Sequence, residues 1–157
     1  MKPKIGLAEA KLKQATDILS VVLADEVLLY TKTRKFHWNV AGESFVELHE
    51  LFEEQYKKLE IVIDEVAERI NKLGANTIGT MKEFLEITNL KETPKKYPSQ
   101  KEMLRELLQD HELVIVHLRK NVETTDEKIG DAVTTDFLTG LMEIHETIAW
   151  KIRRYLS

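Results

Sequence analysis

The sequence predicts an all-α fold: a bundle of four long helices, with a short extra helix in the crossover between the second and the third. Three observations carry this. No segment alternates apolar and polar residues with period two, so no strand is expected. Gly and Pro fall between long segments whose apolar residues recur every three or four positions. Finally, Ser or Thr is followed three residues later by Glu at Ser44/Glu47, Thr80/Glu83 and Ser99/Glu102, a pattern that satisfies the free amides of a helix start.

The first helix is expected over roughly residues 7–40, where Ala41-Gly42 ends it. The second runs over roughly 44–73 and stops at Gly74, placed to adopt the left-handed conformation that closes a helix. A short helix over roughly 80–88 sits in the long second connection, which "KETPKKYPS" completes. The third spans roughly 99–124, and the fourth starts near Asp131 and runs to the C-terminus. With no internal repeat or low-complexity tract, four long helices and one long crossover make a single-domain, ferritin-like bundle over residues 1–157, residues 1–6 forming a short tail.

Composition narrows the chemistry. With 157 residues, 43% of them hydrophobic and 32% charged, the chain is long enough for one real core. Its net charge of −4 gives no global argument for nucleic-acid binding. The absence of cysteine excludes disulfides, zinc–thiolate sites and thiol catalysis, and suits a protein that handles oxidants. The start "MKPKIGLAEAKLKQ" lacks the apolar run of a signal peptide and no 18-residue apolar span follows, so a cytoplasmic location and no membrane partner are expected.

The candidate site lies on the second helix. At about 100° per residue, Phe45, Leu48, Phe52, Leu59, Ile63, Val66 and Ile70 fall on one face, the expected core face. His49, Glu53, Glu60, Asp64 and Glu68 form a stripe beside it. Di-iron bundles hold metal on their axis with Glu-x-x-His, yet none of the five histidines has Glu three residues before it. His49 and Glu53 are one turn apart, as are Asp64 and Glu68, so each pair can share a metal. The eleven residues from Glu53 to Asp64 rise about 16 Å, against metal–ligand bonds of about 2 Å. One chain cannot bring both pairs to one ion. Two antiparallel copies of this helix, related by a two-fold axis near Lys58–Leu59, would face each His49/Glu53 pair with a partner's Asp64/Glu68 pair and create two equivalent sites. Ile61, apolar on the face away from the core, fits such an interface, and His37 can complete each site.

The run "TKTRKFHWNVAGESFVELHELFEEQYKKLEIVIDEVAERINKLG" closely resembles the Dps family, the mini-ferritins of starved or oxidatively stressed bacteria. The resemblance continues through "MKEFLE" to "GDAVTTDFLTGLMEIHETIAWKIRRYL" and covers nearly the whole chain. It implies hollow shells of twelve subunits, with ferroxidase sites between two-fold-related subunits. It assigns His37, His49 and Glu53 to one half of a site and Asp64 and Glu68 to the partner's half. Glu53 stands where the family pattern has aspartate, one methylene shorter. The implied reaction is oxidation of Fe(II), preferably by hydrogen peroxide rather than O2, with storage of the ferric mineral inside the shell. Carboxylates and imidazoles suit iron and leave positions open for the oxidant. The resemblance also implies that Trp38 donates electrons to stray oxidising equivalents and that Asp131 and Asp136 line iron-entry pores.

Each role has a plainer competitor. Asp131 and Asp136, at the start of the fourth helix, also fit helix capping and dipole compensation. His111, His117 and His145 match no ligand pattern and are expected as packing or surface residues, and Trp150 as core or interface. The rival function is non-specific DNA binding and compaction, which would place the protein on the nucleoid. Lys2, Lys4, Lys11 and Lys13 would serve it through avidity, against the repulsion of an acidic shell.

Overall fold

The structure, a computed structural model, describes residues 3–157. Its helices are α1 (Glu9–Asn39), α2 (Phe45–Lys72), α3 (Met81–Ile87), α4 (Gln100–Glu123) and α5 (Ala132–Leu156), with a π-helical turn, Thr124–Ile129, joining α4 to α5. No helix among the described residues is long and apolar enough to cross a membrane. The expected elements are all present, with ends within about two residues of expectation. The π turn was not anticipated. It closes at Gly130, whose positive φ of 72° lets the amides of Gly130 and Asp131 both reach the Thr125 carbonyl, at 2.9 and 3.1 Å.

Capping behaves as the local chemistry dictates in two of the three expected places. At Thr80 the reciprocal pair forms: Glu83 N–H donates to the Thr80 hydroxyl at 3.3 Å, and Thr80 N–H donates to the Glu83 carboxylate at 2.9 Å. At Ser99 the Glu102 carboxylate accepts from the Ser99 amide and hydroxyl at 2.9 and 2.8 Å. At Ser44 the expected box is absent. Ser44 sits at φ −95°, ψ 35°, outside the extended conformation that aims a capping hydroxyl at the helix amides. Gly74 closes α2 as expected: at φ 91° it donates to Asn71 O, while Ala75 N–H reaches back to Ile70 O.

The helices stand at four corners. α1 packs along α2 and α4, and α5 packs along α4 and α2, which leaves α1 and α5 on a diagonal. Polar cross-links tie the sides. Lys32 of α1, nearly buried, pairs with Asp110 at 2.5 Å and Glu106 at 3.1 Å on α4. Arg69 of α2 pairs with Asp131 at the start of α5 at 3.0 Å. In the crossover, Asp25 of α1 accepts from the Thr88 hydroxyl and the Asn89 amide, both at 2.7 Å, and so anchors the end of α3.

The core face of α2 needs one correction. Leu48, Phe52, Leu59, Val66 and Ile70 are buried, Ile63 partly so, and Gln55 and Val62 join them. Phe45 is exposed because the first turn of α2 overhangs the end of α1, where its ring lies against His49 instead. Trp150, expected in the core or an interface, is 55% exposed in the single chain, so the core reading fails. His111 and His145 are wholly buried, on the packing side of their expectation, yet they are hydrogen-bonded to each other across the bundle.

Candidate metal centre

His37 lies in the last turn of α1 and His49 early in α2, and the tight turn through Gly42 folds one against the other. Their imidazoles stack with centroids 3.8 Å apart and planes 25° apart. His37 Nδ1 lies 2.8 Å from the His49 carbonyl oxygen, and His49 Nδ1 lies 3.0 Å from the His37 carbonyl oxygen. A carbonyl only accepts, so both Nδ1 atoms carry hydrogen and donate. Each ring therefore keeps its lone pair on Nε2, the form in which neutral imidazole binds a metal. The main chain itself selects the ligating tautomer twice over.

Glu53 follows one turn after His49. Its carboxylate takes a hydrogen bond from Lys57 at 2.5 Å, and that bond, with the Lys57 charge, holds Glu53 below the usual carboxylate range. His37 and His49 act on it in the same direction, which places its charge within reach of both rings. Asp64 and Glu68 are exposed further along α2, with Glu68 held by Lys72 at 2.9 Å. The structure thus gathers His37, His49 and Glu53 at one end of α2 and keeps Asp64 and Glu68 about 16 Å of helix rise away. Among the described residues of one chain, no three His, Asp or Glu side chains converge on a point that would hold a metal ion. The donor types fit iron, and the half-site alone is short of ligands.

Three residues beside the histidines escaped sequence reasoning. The Arg34 guanidinium lies 5.5, 5.2 and 4.8 Å from the ring centroids of Tyr30, Trp38 and Tyr56, and its Nη1 donates to the Tyr30 hydroxyl at 2.6 Å. Tyr56 stands edge-on to His37, with ring centroids 5.2 Å apart. The legible signal was Tyr30, Arg34 and Trp38 at four-residue spacing, which puts two rings and a cation on one face of α1. Trp38 itself is 65% exposed.

The pore candidates differ from one another. Asp131 is buried, caps α5 by accepting from Thr134 N–H at 3.3 Å and from the Thr134 hydroxyl, and holds Arg69. Burial alone would raise its pKa, but the Thr134 hydrogen bonds and the Arg69 charge outweigh that and hold it below the usual carboxylate range. Asp136, a turn further on, is exposed.

Beside an α2–α5 groove lined by Gln55, Lys58, Ile61, Ile144, Ile148 and Lys151, this bundle with a histidine pair at one end has clear relatives. The family model for the ferritin-like domain matches residues 16–157, which makes this a ferritin-like protein. A low temperature-induced protein of Nostoc sp. is 45% identical over 153 residues, covering 98% of this chain and 86% of its own. DNA protection during starvation protein 2 of Bacillus anthracis is 38% identical over 146 residues, covering 92% and 98%. The crystal structure of the Dps protein from Vibrio cholerae O1, described as a member of a broad superfamily of ferritin-like diiron-carboxylate proteins, superposes with a TM-score of 0.93 at 28% identity, over 99% of this chain and 97% of that one. The chain belongs to the Dps family.

Proposed function

We propose that the protein is a ferroxidase of the mini-ferritin kind. It oxidises Fe(II), preferably with hydrogen peroxide, at sites shared between two-fold-related copies, and stores the ferric product in a hollow shell of twelve. The observation that carries this reading is the reciprocal lock of His37 and His49, which presents two Nε2 lone pairs at the edge of one chain. Glu53 adds a carboxylate beside them, and Asp64 and Glu68 of a second copy would supply the rest. Ile61, 53% exposed, and the α2–α5 groove are the apolar surface such a two-fold contact would cover.

Fe(II) is substrate here. Two Fe(II) ions together supply the two electrons that, with two protons taken from solvent, reduce one hydrogen peroxide to two waters and leave two Fe(III), so the pairing avoids the one-electron step that releases hydroxyl radical. Neutral imidazole and carboxylate ligands bind Fe(II) and stabilise the Fe(III) product. In binding iron, Glu53 must leave Lys57. Trp38 is the candidate donor for stray oxidising equivalents, working against the Arg34 charge above its ring. Asp136 is the freer of the two pore candidates, since Asp131 is committed to Arg69 and Thr134. The direct test is Fe(II) oxidation driven by hydrogen peroxide and by air in purified protein, with particle size measured on the same sample. Slow oxidation indistinguishable from free Fe(II) would end the reading.

A DNA-binding role has less support. Lys4, Lys11 and Lys13 are exposed, but Lys13 is already paired with Asp17 at 2.6 Å, and Lys2 lies outside the described residues.

A further inference from the structure

The proposed site leaves one charge without a place. Lys57 holds Glu53 at 2.5 Å, so a metal that takes Glu53 turns Lys57 out beside a divalent cation. On the α2 wheel Glu53, Glu60, Ile61, Asp64 and Glu68 all fall within about 60° of Lys57, whereas the buried Leu48, Leu59 and Val66 fall about 160–180° away. Lys57 therefore points away from its own core, and its side chain is 61% exposed.

The acids around it are not equally free. Glu54 is held by Lys151 at 2.6 Å. Glu143 of α5 lines the α2–α5 groove together with Lys57 and Lys58 and bonds to neither. Glu60 is exposed and makes no hydrogen bond or ion pair with any described residue. Along its own helix Glu60 follows Lys57, the poorer order for such a pair, and Lys57 has taken Glu53 instead. Glu60 shares the face of the five proposed ligands, yet the site gives it no role.

A second copy changes that. About a two-fold axis near Lys58–Leu59, each residue of α2 faces the one equally far beyond the axis in its mate. This sets His49 against Glu68 and Glu53 against Asp64, the two halves of the proposed site. It sets Lys57 against Glu60 as well. The symmetry makes that contact twice, so two opposite-charge pairs flank the middle of every α2–α2 contact.

We propose that Glu60 of the second copy receives Lys57 when iron takes Glu53, a step that rests on the shared-site reading above. The ion pair moves and does not break. Glu60 is then a positioning residue, which touches no iron and acts through Lys57 alone. Without it, binding would press a divalent cation against an unpaired ammonium in a covered contact, where salt screens charges poorly. In a lone chain Lys57 stays on Glu53, and the half-site is occupied by its own lysine.

One test is a cycle of assembled shells at physiological salt: wild type, Glu60→Gln, Lys57→Met and the double variant, each titrated calorimetrically with Fe(II) under anaerobic conditions. Glu60→Gln should weaken binding at the Glu53 position by about two- to fivefold, the range of an exposed ion pair. In the Lys57→Met background the same substitution should change nothing. Glu143→Gln, which removes the other free carboxylate lining the groove, should change nothing in either background. A Glu60→Gln loss that persists without Lys57 would mean that Glu60 acts on the metal directly, and a loss in Glu143→Gln would pass its role to α5; either overturns the proposal.

A companion test asks whether the pair joins two chains. Lys57→Glu alone and Glu60→Lys alone each set like charges together twice in every α2–α2 contact. A contact between one chain of each kind has both pairs restored. On dilution, shells of either variant should fall apart at about tenfold higher concentration than wild type, and shells from an equimolar mixture should regain most of that difference. A pair made within one chain could not be rescued by mixing, since neither chain contains it. A wild-type chain that stays monomeric or binds no Fe(II) would end the shared-site reading and this inference with it. Wild-type shells that bind Fe(II), but show no Lys57-dependent loss or no rescue by mixing, would overturn this inference alone.

Discussion

At the scale of single residues, the decisive chemistry is which atoms are left free. His37 and His49 give their Nδ1 hydrogens to each other's carbonyls, so in the neutral rings the Nε2 lone pairs are left free for the proposed metal. Glu53 is the contested member, because Lys57 occupies its carboxylate before any metal arrives. Lys57→Met should therefore tighten anaerobic Fe(II) binding at the position Glu53 serves, by about two- to fivefold given how little an exposed ion pair contributes. Calorimetric titration would show it, and unchanged or weaker binding would mean that Glu53 is not a ligand. The histidine and acid spacing was legible in the sequence because helical periodicity fixes which side chains share a face. The tautomer lock was not, because it depends on main-chain carbonyls brought together only by the turn at Gly42. Nor was the contact of Tyr56 with His37, since it crosses from one helix to another.

At the scale of elements, the start of α5 is a small device in its own right. Asp131 caps the helix and neutralises Arg69 of α2 at once. Asp131→Ala should cost about 1–3 kcal/mol in urea unfolding, by loss of the cap and by stranding a half-buried guanidinium. Because the Asp131 pKa is lowered in the fold, its contribution is present above the unfolded value near 3.9 and fades as pH falls below it. The wild-type and variant stabilities should thus converge below about pH 4. At the other end of α2, Gly74→Ala should cost about 1–3 kcal/mol: its φ of 91° is strained for a side chain, and the added Cβ would stand 2.5 Å from Pro3 Cδ. Thermal unfolding checks this, and an unchanged midpoint would mean that the α2 end and Pro3 shift freely. Helix number, order and ends were readable from periodicity and capping residues. The Ser44 box failed because the same letters cap only when the preceding turn leaves the backbone extended, and Gly42 dictates otherwise. Phe45 failed because a helical wheel assigns a face without knowing where the neighbouring helix ends. His111 and His145 looked ordinary in sequence, since a contact made between two helices has no linear pattern.

At the scale of the whole molecule, the proposed half-site at one end of α2 would be completed by the exposed acids of a second copy, and a closed shell would repeat that pairing. Light scattering should give about twelve times 18.2 kDa; a stable monomer or a twenty-four-subunit particle would contradict the proposed assembly. An acidic shell should bind DNA weakly, and gel shifts should vanish as salt rises to physiological levels. Tight, salt-resistant complexes would reverse the order of the two functional readings.

The sharing of each site between two chains is tested most directly by complementation. Asp64→Ala/Glu68→Ala removes the acids of one half, and His37→Ala/His49→Ala removes the imidazoles of the other. Each double variant should assemble, because the acids are exposed and the histidines, though His37 is buried, sit where the last turn of α1 meets the start of α2 and bond only each other's main chain. Each alone should lose fast peroxide-driven Fe(II) oxidation. In shells refolded from a mixture, every pair of unlike neighbours contains one site built from two intact halves, so part of the rate should return. No subunit in the mixture has a full set of ligands, so a site contained within one chain could not be rescued. Assembled mixed shells that recover fast oxidation are the predicted result, and assembled mixed shells as inactive as either parent would contradict it.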